Sequence, residues 1–272
     1  MGAVRLTRRV TFSSGHRYWN ASLSAEENRA RFGPWASPFN HGHNYVLLVT
    51  TIGHVNPLDG MVINIKTIDD LLQEHVVARF DQHSINDEIP PFNVSPPTTE
   101  NLVQYFADLL PRHLPAEAQL DELRLEETPT LFSGWKANIV TLTRSYEFAA
   151  AHRLHSANLS ETQNLELYGK CNNPAGHGHN YVLEVEVTGP ISAETGMMVD
   201  LPTLDSIVNR EVVDRYDHHN FNCDLPEFEG KNPTSEVVCE EIFSRLASSL
   251  PVKLVSIRLW ETQRNMFEVR AE

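Results

Sequence analysis

The chain consists of two copies of one sequence placed end to end. LTRRVTFSSGHR at residues 6–17 aligns with LTRSYEFAAAHR at residues 142–153, an offset of 136 residues. The same offset relates two further pairs of segments: HGHNY at 41–45 with 177–181, and TTE at 98–100 with TSE at 234–236. Self-similarity at a fixed offset indicates repetition of one structural unit. We therefore expect two domains, residues 1–139 and 140–272, built on the same plan.

Hydrophobic patterning predicts the same order of elements in each copy: two strands, two helices, a strand and a last short strand. NYVLEVEV at 180–187 alternates apolar and acidic residues, as a half-buried antiparallel strand does. Helical spacing of apolar residues predicts helices over 201–216 and about 235–249, and 252–260 alternates again. Each copy is therefore expected to be an α+β unit with an antiparallel sheet.

Composition and charge exclude several functional classes. The net charge of −14 argues against a nucleic-acid partner, which requires a concentrated basic surface. No apolar run reaches the roughly 18 residues of a membrane span, and the N-terminal residues lack the apolar region of a secretory signal. Three cysteines form no disulfide framework. We expect a cytoplasmic protein without a membrane partner.

Each copy carries three histidines at the same spacing. They are His16, His41 and His43 in the first copy, and His152, His177 and His179 in the second. Histidines two residues apart on an extended chain point to the same side. Three imidazoles with an open fourth position are typical of catalytic Zn²⁺. We expect a metal site in each copy.

A cysteine accompanies the histidines only in the second copy. Cys171 lies in a loop six residues before His177, where a thiolate near a metal could act as base or nucleophile. Asp217 and His218 are adjacent, and such a pair can orient and charge an imidazole. Cys239 has the pattern of a buried core cysteine, and Cys223 has no evident partner. The second copy is therefore the candidate catalytic unit.

The second copy resembles the 6-pyruvoyltetrahydropterin synthase family. The resemblance covers residues 142–272 and rests on six motifs: FAAAHRLHSANLS, YGKCNNPAGHGHNY, GMMVDL, YDHHNFN, PTSE and LWET. The first copy follows the pattern more loosely. The resemblance implies two tandem tunnelling-fold units, each ββααββ, whose sheets join into a barrel on oligomerisation. It also implies a homo-oligomer, either a trimer or a dimer of trimers.

The resemblance further implies a zinc-dependent lyase acting on a pterin. It would convert 7,8-dihydroneopterin triphosphate to 6-pyruvoyltetrahydropterin by eliminating triphosphate, with Mg²⁺ possible on the triphosphate. His152, His177 and His179 would hold Zn²⁺, and Cys171 would be the base. The resemblance also implies that Asp217 and His218 adjust the basicity of Cys171 and that Glu261 binds the pterin ring. The pterin pocket would be shaped by Thr234, Ser235 and Glu236.

The first copy departs from the family pattern at the residues that are expected to transfer protons. Trp35 stands where the second copy has Cys171, and Gln82 stands where it has His218, although His83 follows. The first copy is therefore interpreted as a degenerate repeat that keeps its metal triplet. It also keeps a vestigial pterin site, formed by Glu127, Thr98, Thr99 and Glu100.

Three alternatives stay open at this stage. One is the 6-carboxytetrahydropterin synthase activity of deazapurine (queuosine) biosynthesis, although that type has three residues between Cys and HGH and this chain has five, NNPAG. Another is cleavage of the dihydroneopterin side chain. The third is a non-catalytic pterin- or zinc-binding scaffold, which leaves the combination of Cys171, Asp217 and His218 without a reason.

Overall fold

The computed structural model describes residues 2–272, which form two compact units. One unit comprises the chain up to Thr143 together with Thr188–Asp200, and the other comprises Arg144–Val187 and Leu201–Glu272. A short segment of the second repeat thus belongs to the unit formed by the first.

The predicted order of elements is present in each repeat. The strands are β1 Val4–His16, β2 His41–Gly53, β3 Gln119–Thr128, β4 Leu131–Lys136, β5 Ile139–His152, β6 His177–Thr188, β7 His219–Asn220, β8 Lys253–Thr262 and β9 Asn265–Arg270. The helices are α1 Ala25–Phe32, α2 Ile65–Leu72, α3 Ala78–Phe80, α4 Ile85–Glu88, α5 Thr99–Leu109, α6 Glu161–Tyr168, α7 Leu201–Val208, α8 Asp214–Tyr216 and α9 Ser235–Ser249. The α+β class with two repeats is confirmed.

Antiparallel pairing organises the first repeat. β1 pairs with β2, β2 with β3, and β3 with β4, all antiparallel. In the second repeat the strands neighbour one another in the order β5, β6, β8, β9, and β7 pairs in parallel with β5. The alternation predicted for 180–187 is confirmed, because Tyr181, Leu183 and Val185 are all fully buried.

The helices cover the sheet with the apolar faces that their spacing predicts. In α9, Val238, Ile242 and Leu246 are fully buried. The helix predicted over 201–216 forms with one interruption, a π-helical stretch at Asn209–Val213. The first repeat has the same interruption at Gln73–Val77. A π-bulge shifts the register of a helix by one residue.

The hydrophobic pattern did not predict two of the helices, α1 and α6. α1 and α6 are both capped by a serine, and the residue three positions later returns a side-chain hydrogen bond, which forms a capping box. Each helix ends at a glycine with positive φ, Gly33 and Gly169, which L side chains rarely adopt. A 3₁₀ turn then follows, and it carries Trp35 in one repeat and Cys171 in the other.

Candidate metal centre

The pairing of the first two strands of each repeat gathers the histidines. In the first repeat His16 lies opposite His41, and Ser14 lies opposite His43. Gly42, between His41 and His43, permits this close approach of the strands, because a Cβ there would lie 3.1 Å from the Ser14 carbonyl oxygen. Among residues 2–272 this produces two groups that could hold a metal ion, one per repeat, and within each group the ligand atoms lie within 4.8 Å of one another.

The deepest histidine of each group is oriented by a backbone carbonyl. His152 Nδ1 lies 2.9 Å from the Pro233 carbonyl oxygen, and His16 Nδ1 lies 3.2 Å from that of Pro97. Donation from Nδ1 leaves Nε2 as the metal-binding atom. In keeping with this, His152 Nε2 lies 3.2 Å from His177 Nε2, too close for two protonated nitrogens.

Burial favours the neutral form of His16, His43, His152 and His179, which is the form that binds a metal ion. Burial, reinforced by the neighbouring imidazoles, lowers the pKa of His16 to about 3 and the pKa of His43 to about 4. Burial likewise lowers the pKa of His152 and of His179. Among the described residues, His43 Nε2 and His179 Nε2 are buried and have no hydrogen-bond partner. Buried polar atoms of this kind call for a ligand, and a metal ion fits them.

Glu261 lies beside the second triad. Its Oε1 is 3.6 Å from His152 Nε2 and 3.7 Å from His179 Nε2. Ser235 Oγ donates to the same oxygen at 2.7 Å, and Asn265 Nδ2 donates to Oε2 at 2.7 Å. Burial acts to raise the pKa of Glu261, but these hydrogen bonds and the adjacent imidazoles outweigh it and lower the pKa. The site therefore presents an ionised, fixed carboxylate next to the metal position.

The start of α9 places the other predicted pocket residues. Thr234 caps the helix and accepts a hydrogen bond from the Val237 N–H. Ser235 is buried against Glu261, whereas Glu236 is exposed. Of the three, Ser235 is the residue that the structure connects directly to the metal centre.

Cys171 lies close in the fold to the strand that supplies the triad. Its carbonyl oxygen accepts a hydrogen bond from the backbone N–H of Leu154 at 2.9 Å, two residues beyond His152. The thiol is free and half-buried. Cys239 is buried, as its pattern predicts, and Cys223 is exposed. Cys171 is therefore the half-buried thiol whose loop is anchored beside a histidine ligand.

Asp217 and His218 form the pair that the sequence suggests. His218 Nδ1 lies 2.7 Å from Asp217 Oδ2, and Asp217 Oδ1 accepts the Ala149 N–H at 2.7 Å. The backbone hydrogen bond and the imidazole lower the pKa of Asp217. The His218 side chain is 84% exposed. Within residues 2–272, no hydrogen bond or ion pair joins either residue to Cys171, so one chain does not assemble the three into one contact network.

Two cavities adjoin the second triad. One, of about 550 Å³, is lined by His179 and His218 together with Ala149–Ala151. The other, of about 750 Å³, is lined by His179 and Glu261 together with Trp260 and Glu147. Both volumes suit a small molecule. The second triad thus faces space that a substrate can enter.

The corresponding residues of the first repeat are engaged with protein groups. Thr98 caps α5 and donates from Oγ1 to the Gly196 carbonyl oxygen at 2.6 Å. Ser133 Oγ donates to Thr99 Oγ1 at 2.8 Å. Glu100 Oε1 accepts the Met198 N–H at 3.2 Å. Two residues of the predicted vestigial pterin site, Thr98 and Glu100, thus form hydrogen bonds with the segment Thr188–Asp200 of the same unit.

Glu100 supplies a prediction about stability. Burial raises its pKa from 4.5 to about 6, so the folded state holds this proton more tightly than the unfolded state. A raised carboxyl pKa contributes stability below pH 4.5 that is lost as the pH rises through 6, a loss of about 2 kcal/mol. We expect Glu100→Gln to unfold at higher temperature than wild type at pH 7.5 and at nearly the same temperature at pH 4.5. A lower melting temperature at pH 7.5 would contradict this reading.

Gln82 and His218, at equivalent positions of the two repeats, have the same backbone conformation although their side chains differ. Gln82 and His218 both have positive φ, near 60°. The N–H of Gln82 donates to the Ser13 carbonyl oxygen as that of His218 donates to Ala149. His83 turns Nδ1 towards the Asp81 carbonyl oxygen instead of replacing His218. The loop geometry is therefore conserved between repeats while its imidazole is not.

Several residues of the site were missed by sequence reasoning. Asn265, which no motif contains, donates a hydrogen bond to Glu261, and the carbonyl of Pro233, the first residue of the PTSE motif, orients His152. Tyr18 also reaches the first centre, since its hydroxyl donates to Glu127 Oε2 at 3.3 Å. The alignment of the two repeats could have drawn attention to Tyr18, because the repeats differ there: the second repeat has Leu154 at this position.

Comparison with known proteins identifies the family. The family model described as 6-pyruvoyl tetrahydropterin synthase matches the chain twice, at residues 5–136 and 141–272. The chain therefore belongs to this family, as a tandem of two family units.

Each of the following three proteins matches about half of the chain. The 6-pyruvoyl tetrahydrobiopterin synthase of Poecilia reticulata is 42% identical over 48% of this chain and 90% of its own length. That of Homo sapiens is 39% identical over 48% of this chain and 91% of its own length. The solved structure of Caenorhabditis elegans 6-pyruvoyl tetrahydropterin synthase is 40% identical, covers 49% of this chain and 96% of that chain, and has a TM-score of 0.47.

No helix among the described residues combines the length and apolar character of a membrane-spanning helix.

Proposed function

We propose that this protein is a zinc-dependent pterin lyase whose second repeat converts 7,8-dihydroneopterin triphosphate to 6-pyruvoyltetrahydropterin with elimination of triphosphate. The observation that carries the proposal is the second metal centre. His152, His177 and His179 converge there beside an open cavity, and the Cys171 loop is anchored to the strand that holds His152. Relatives at about 40% identity bear the name of this synthase.

The first task of the site is to fix the metal and the substrate. The Nε2 atoms of the triad would bind zinc, with His152 oriented by the Pro233 carbonyl oxygen. A bound zinc ion supplies Lewis-acid chemistry, which polarises substrate oxygens and acidifies neighbouring C–H and O–H protons. Glu261, ionised and held by Ser235 and Asn265, accepts hydrogen bonds from N–H or O–H groups of the substrate. Thr234 and Glu236 shape the pocket at the start of α9.

The second task is to move protons. The chemistry requires removal of protons from side-chain carbons and their return at other positions, and Cys171 Sγ is the proposed base. The Asp217 carboxylate lies within hydrogen-bond distance of His218 Nδ1 and orients the exposed imidazole, which would act on the thiol. Because no hydrogen bond or ion pair joins His218 to Cys171 within residues 2–272 of one chain, we propose that assembly into a homo-oligomer, with the sheets of several copies joined in a barrel, completes the arrangement. Mg²⁺ with the triphosphate is part of the proposal, without residues assigned to it.

The domain roles follow from the same proposal. Residues 140–272 form the catalytic repeat, and residues 1–139 form a degenerate repeat that keeps the metal triad and lacks the thiol. Aqueous cytoplasm is the proposed location, since the free cysteines suit a reducing compartment.

The test of the proposed activity is incubation of the zinc-loaded protein with 7,8-dihydroneopterin triphosphate while released inorganic triphosphate and the pterin product are measured. We expect release of one triphosphate for each 6-pyruvoyltetrahydropterin formed. Acetaldehyde released with triphosphate would indicate the carboxy-forming activity instead, and glycolaldehyde triphosphate without free triphosphate would indicate cleavage of the side chain. Binding of the pterin without turnover would indicate a scaffold.

A further inference from the structure

Segment 192–198 of the second repeat is bound to the first repeat inside one compact unit. Thr98 Oγ1 donates a hydrogen bond to the Gly196 carbonyl oxygen at 2.6 Å. Glu100 Oε1 accepts the Met198 N–H at 3.2 Å. The start of α5 thus holds this segment through two hydrogen bonds.

Side chains attach the same segment to α1. Met197 is 5% exposed and forms a buried cluster with Tyr18 and Phe32. Arg31 of α1 forms an ion pair with Glu194. The contact therefore has three parts: hydrogen bonds at α5, an apolar cluster and an ion pair at α1.

The equivalent segment of the first repeat, 56–62, has the same turn but lies exposed. The Gly60 N–H donates to the Asn56 carbonyl oxygen at 2.8 Å, and the second repeat makes the equivalent bond at 2.7 Å. Met61 is 42% exposed, and Leu58 is 94% exposed. The segment is therefore preformed and presents apolar side chains to solvent.

The second repeat exposes the surface that would receive such a segment. Thr234 caps α9 as Thr98 caps α5. Glu236, the equivalent of Glu100, is exposed, whereas Glu100 is 3% exposed. Leu167 of α6 is 64% exposed. Both sides of a second contact, built like the first, are thus present and uncovered in a single chain.

The residues at the ion-pair positions differ between the repeats in a complementary way. The offset of 136 residues relates Arg31 to Leu167 and Leu58 to Glu194. The contact inside the unit therefore pairs two charges, and the equivalent second contact would pair two leucines. A leucine placed against an unpaired arginine would leave that charge without a partner, so the exchange favours segment 56–62 on α6 over α1.

We propose that segment 56–62 of one copy docks on α6 and the start of α9 in the second repeat of another copy. This contact uses a different surface on each copy, and such contacts close into a ring. Trp35 packs against the cluster of Met197, and Cys171 stands at the position of Trp35 in the second repeat. Met61 of the partner copy therefore covers the turn that carries Cys171.

The repeat without the thiol thereby completes the catalytic centre of another copy. The docking itself stands on the contacts described, whereas its importance for turnover rests on the proposed function. The two are separated by measuring assembly and triphosphate release on the same preparations.

The first measurement is the molar mass of the zinc-loaded full chain by light scattering over a concentration series. Leu58→Glu places a carboxylate against Leu167 and should weaken association by about 10–100-fold, the effect of withdrawing one leucine from a buried contact. Leu167→Arg should weaken it similarly. The double variant recreates the pair of Arg31 and Glu194, and it should associate more tightly than either single variant.

Val94→Glu is the matched control, because Val94 is an exposed apolar residue of the first repeat outside segment 56–62. It should assemble like wild type. Leu58 and Leu167 are both exposed in the single chain, so their substitution should leave the zinc content and the circular dichroism unchanged. A monomeric wild type, wild-type assembly of Leu58→Glu, or a double variant no better than the single ones would overturn the docking.

The second measurement is triphosphate release by the same variants. Turnover should fall in Leu58→Glu with the fraction of assembled protein and rise again in the double variant. Wild-type turnover in dissociated Leu58→Glu would overturn the role of segment 56–62 in the catalytic centre. A wild type that assembles as expected but releases no triphosphate would refute the proposed function alone.

Discussion

Replacement of Cys171 by alanine is expected to lower the turnover number by about 10²–10⁴-fold, the range that a positioned general base contributes. The zinc content should remain that of wild type, because the thiol lies outside both groups of candidate metal ligands. The loop should keep its position, since Cys171 is anchored through its backbone carbonyl oxygen to Leu154. The measurement is triphosphate release under saturating 7,8-dihydroneopterin triphosphate.

Cys223 provides the matched control for this variant. It is also a free thiol of the second repeat, but it is exposed and belongs to no candidate site. We expect Cys223→Ala to turn over like wild type. Wild-type turnover in Cys171→Ala, or an equal loss in both variants, would remove Cys171 from the mechanism.

Replacement of His177 by alanine is expected to abolish turnover and to remove one zinc per chain. A Lewis acid contributes several kcal/mol to such reactions, which corresponds to about 10³-fold or more in rate. Two imidazoles and a neighbouring carboxylate would remain at the second centre, a set that binds zinc weakly. Metal analysis and triphosphate release on the same preparation measure both effects.

The zinc that remains in His177→Ala serves as the internal control. If the first repeat is intact, one zinc per chain should stay bound. A variant that loses both metal ions would point to general unfolding, and a variant that keeps both, with full activity, would exclude His177 as a ligand.

The repeated pattern of the sequence predicted the elements well because it reports burial directly. Both kinds of apolar spacing mark the buried face of an element: alternation in the strand with Tyr181, Leu183 and Val185, and helical spacing in α9 with Val238, Ile242 and Leu246. The pattern missed α1 and α6 because those helices expose most of their surface and carry no apolar stripe. Their start signal was nevertheless present, as the capping pairs Ser24–Glu27 and Ser160–Gln163.

The candidate site was predictable only where chemistry is tied to residue type. Histidine spacing indicated both triads, because three imidazoles at one end of a strand pair have few other uses. The position of Glu261 beside the metal depends on long-range hydrogen bonds from Ser235 and Asn265, which no local motif encodes. The hydrogen bond from the Met198 N–H to Glu100 also could not be predicted, because it comes from a segment 98 residues distant in the chain.

The most direct test of the central claim, that the chain has two metal centres and one catalytic centre, is the turnover of His41→Ala together with its zinc content. His41 aligns with His177 and belongs to the first triad. We expect His41→Ala to bind one zinc per chain and to release triphosphate at close to the wild-type rate. Loss of turnover in a folded His41→Ala protein that still holds the zinc of the second triad would contradict the account.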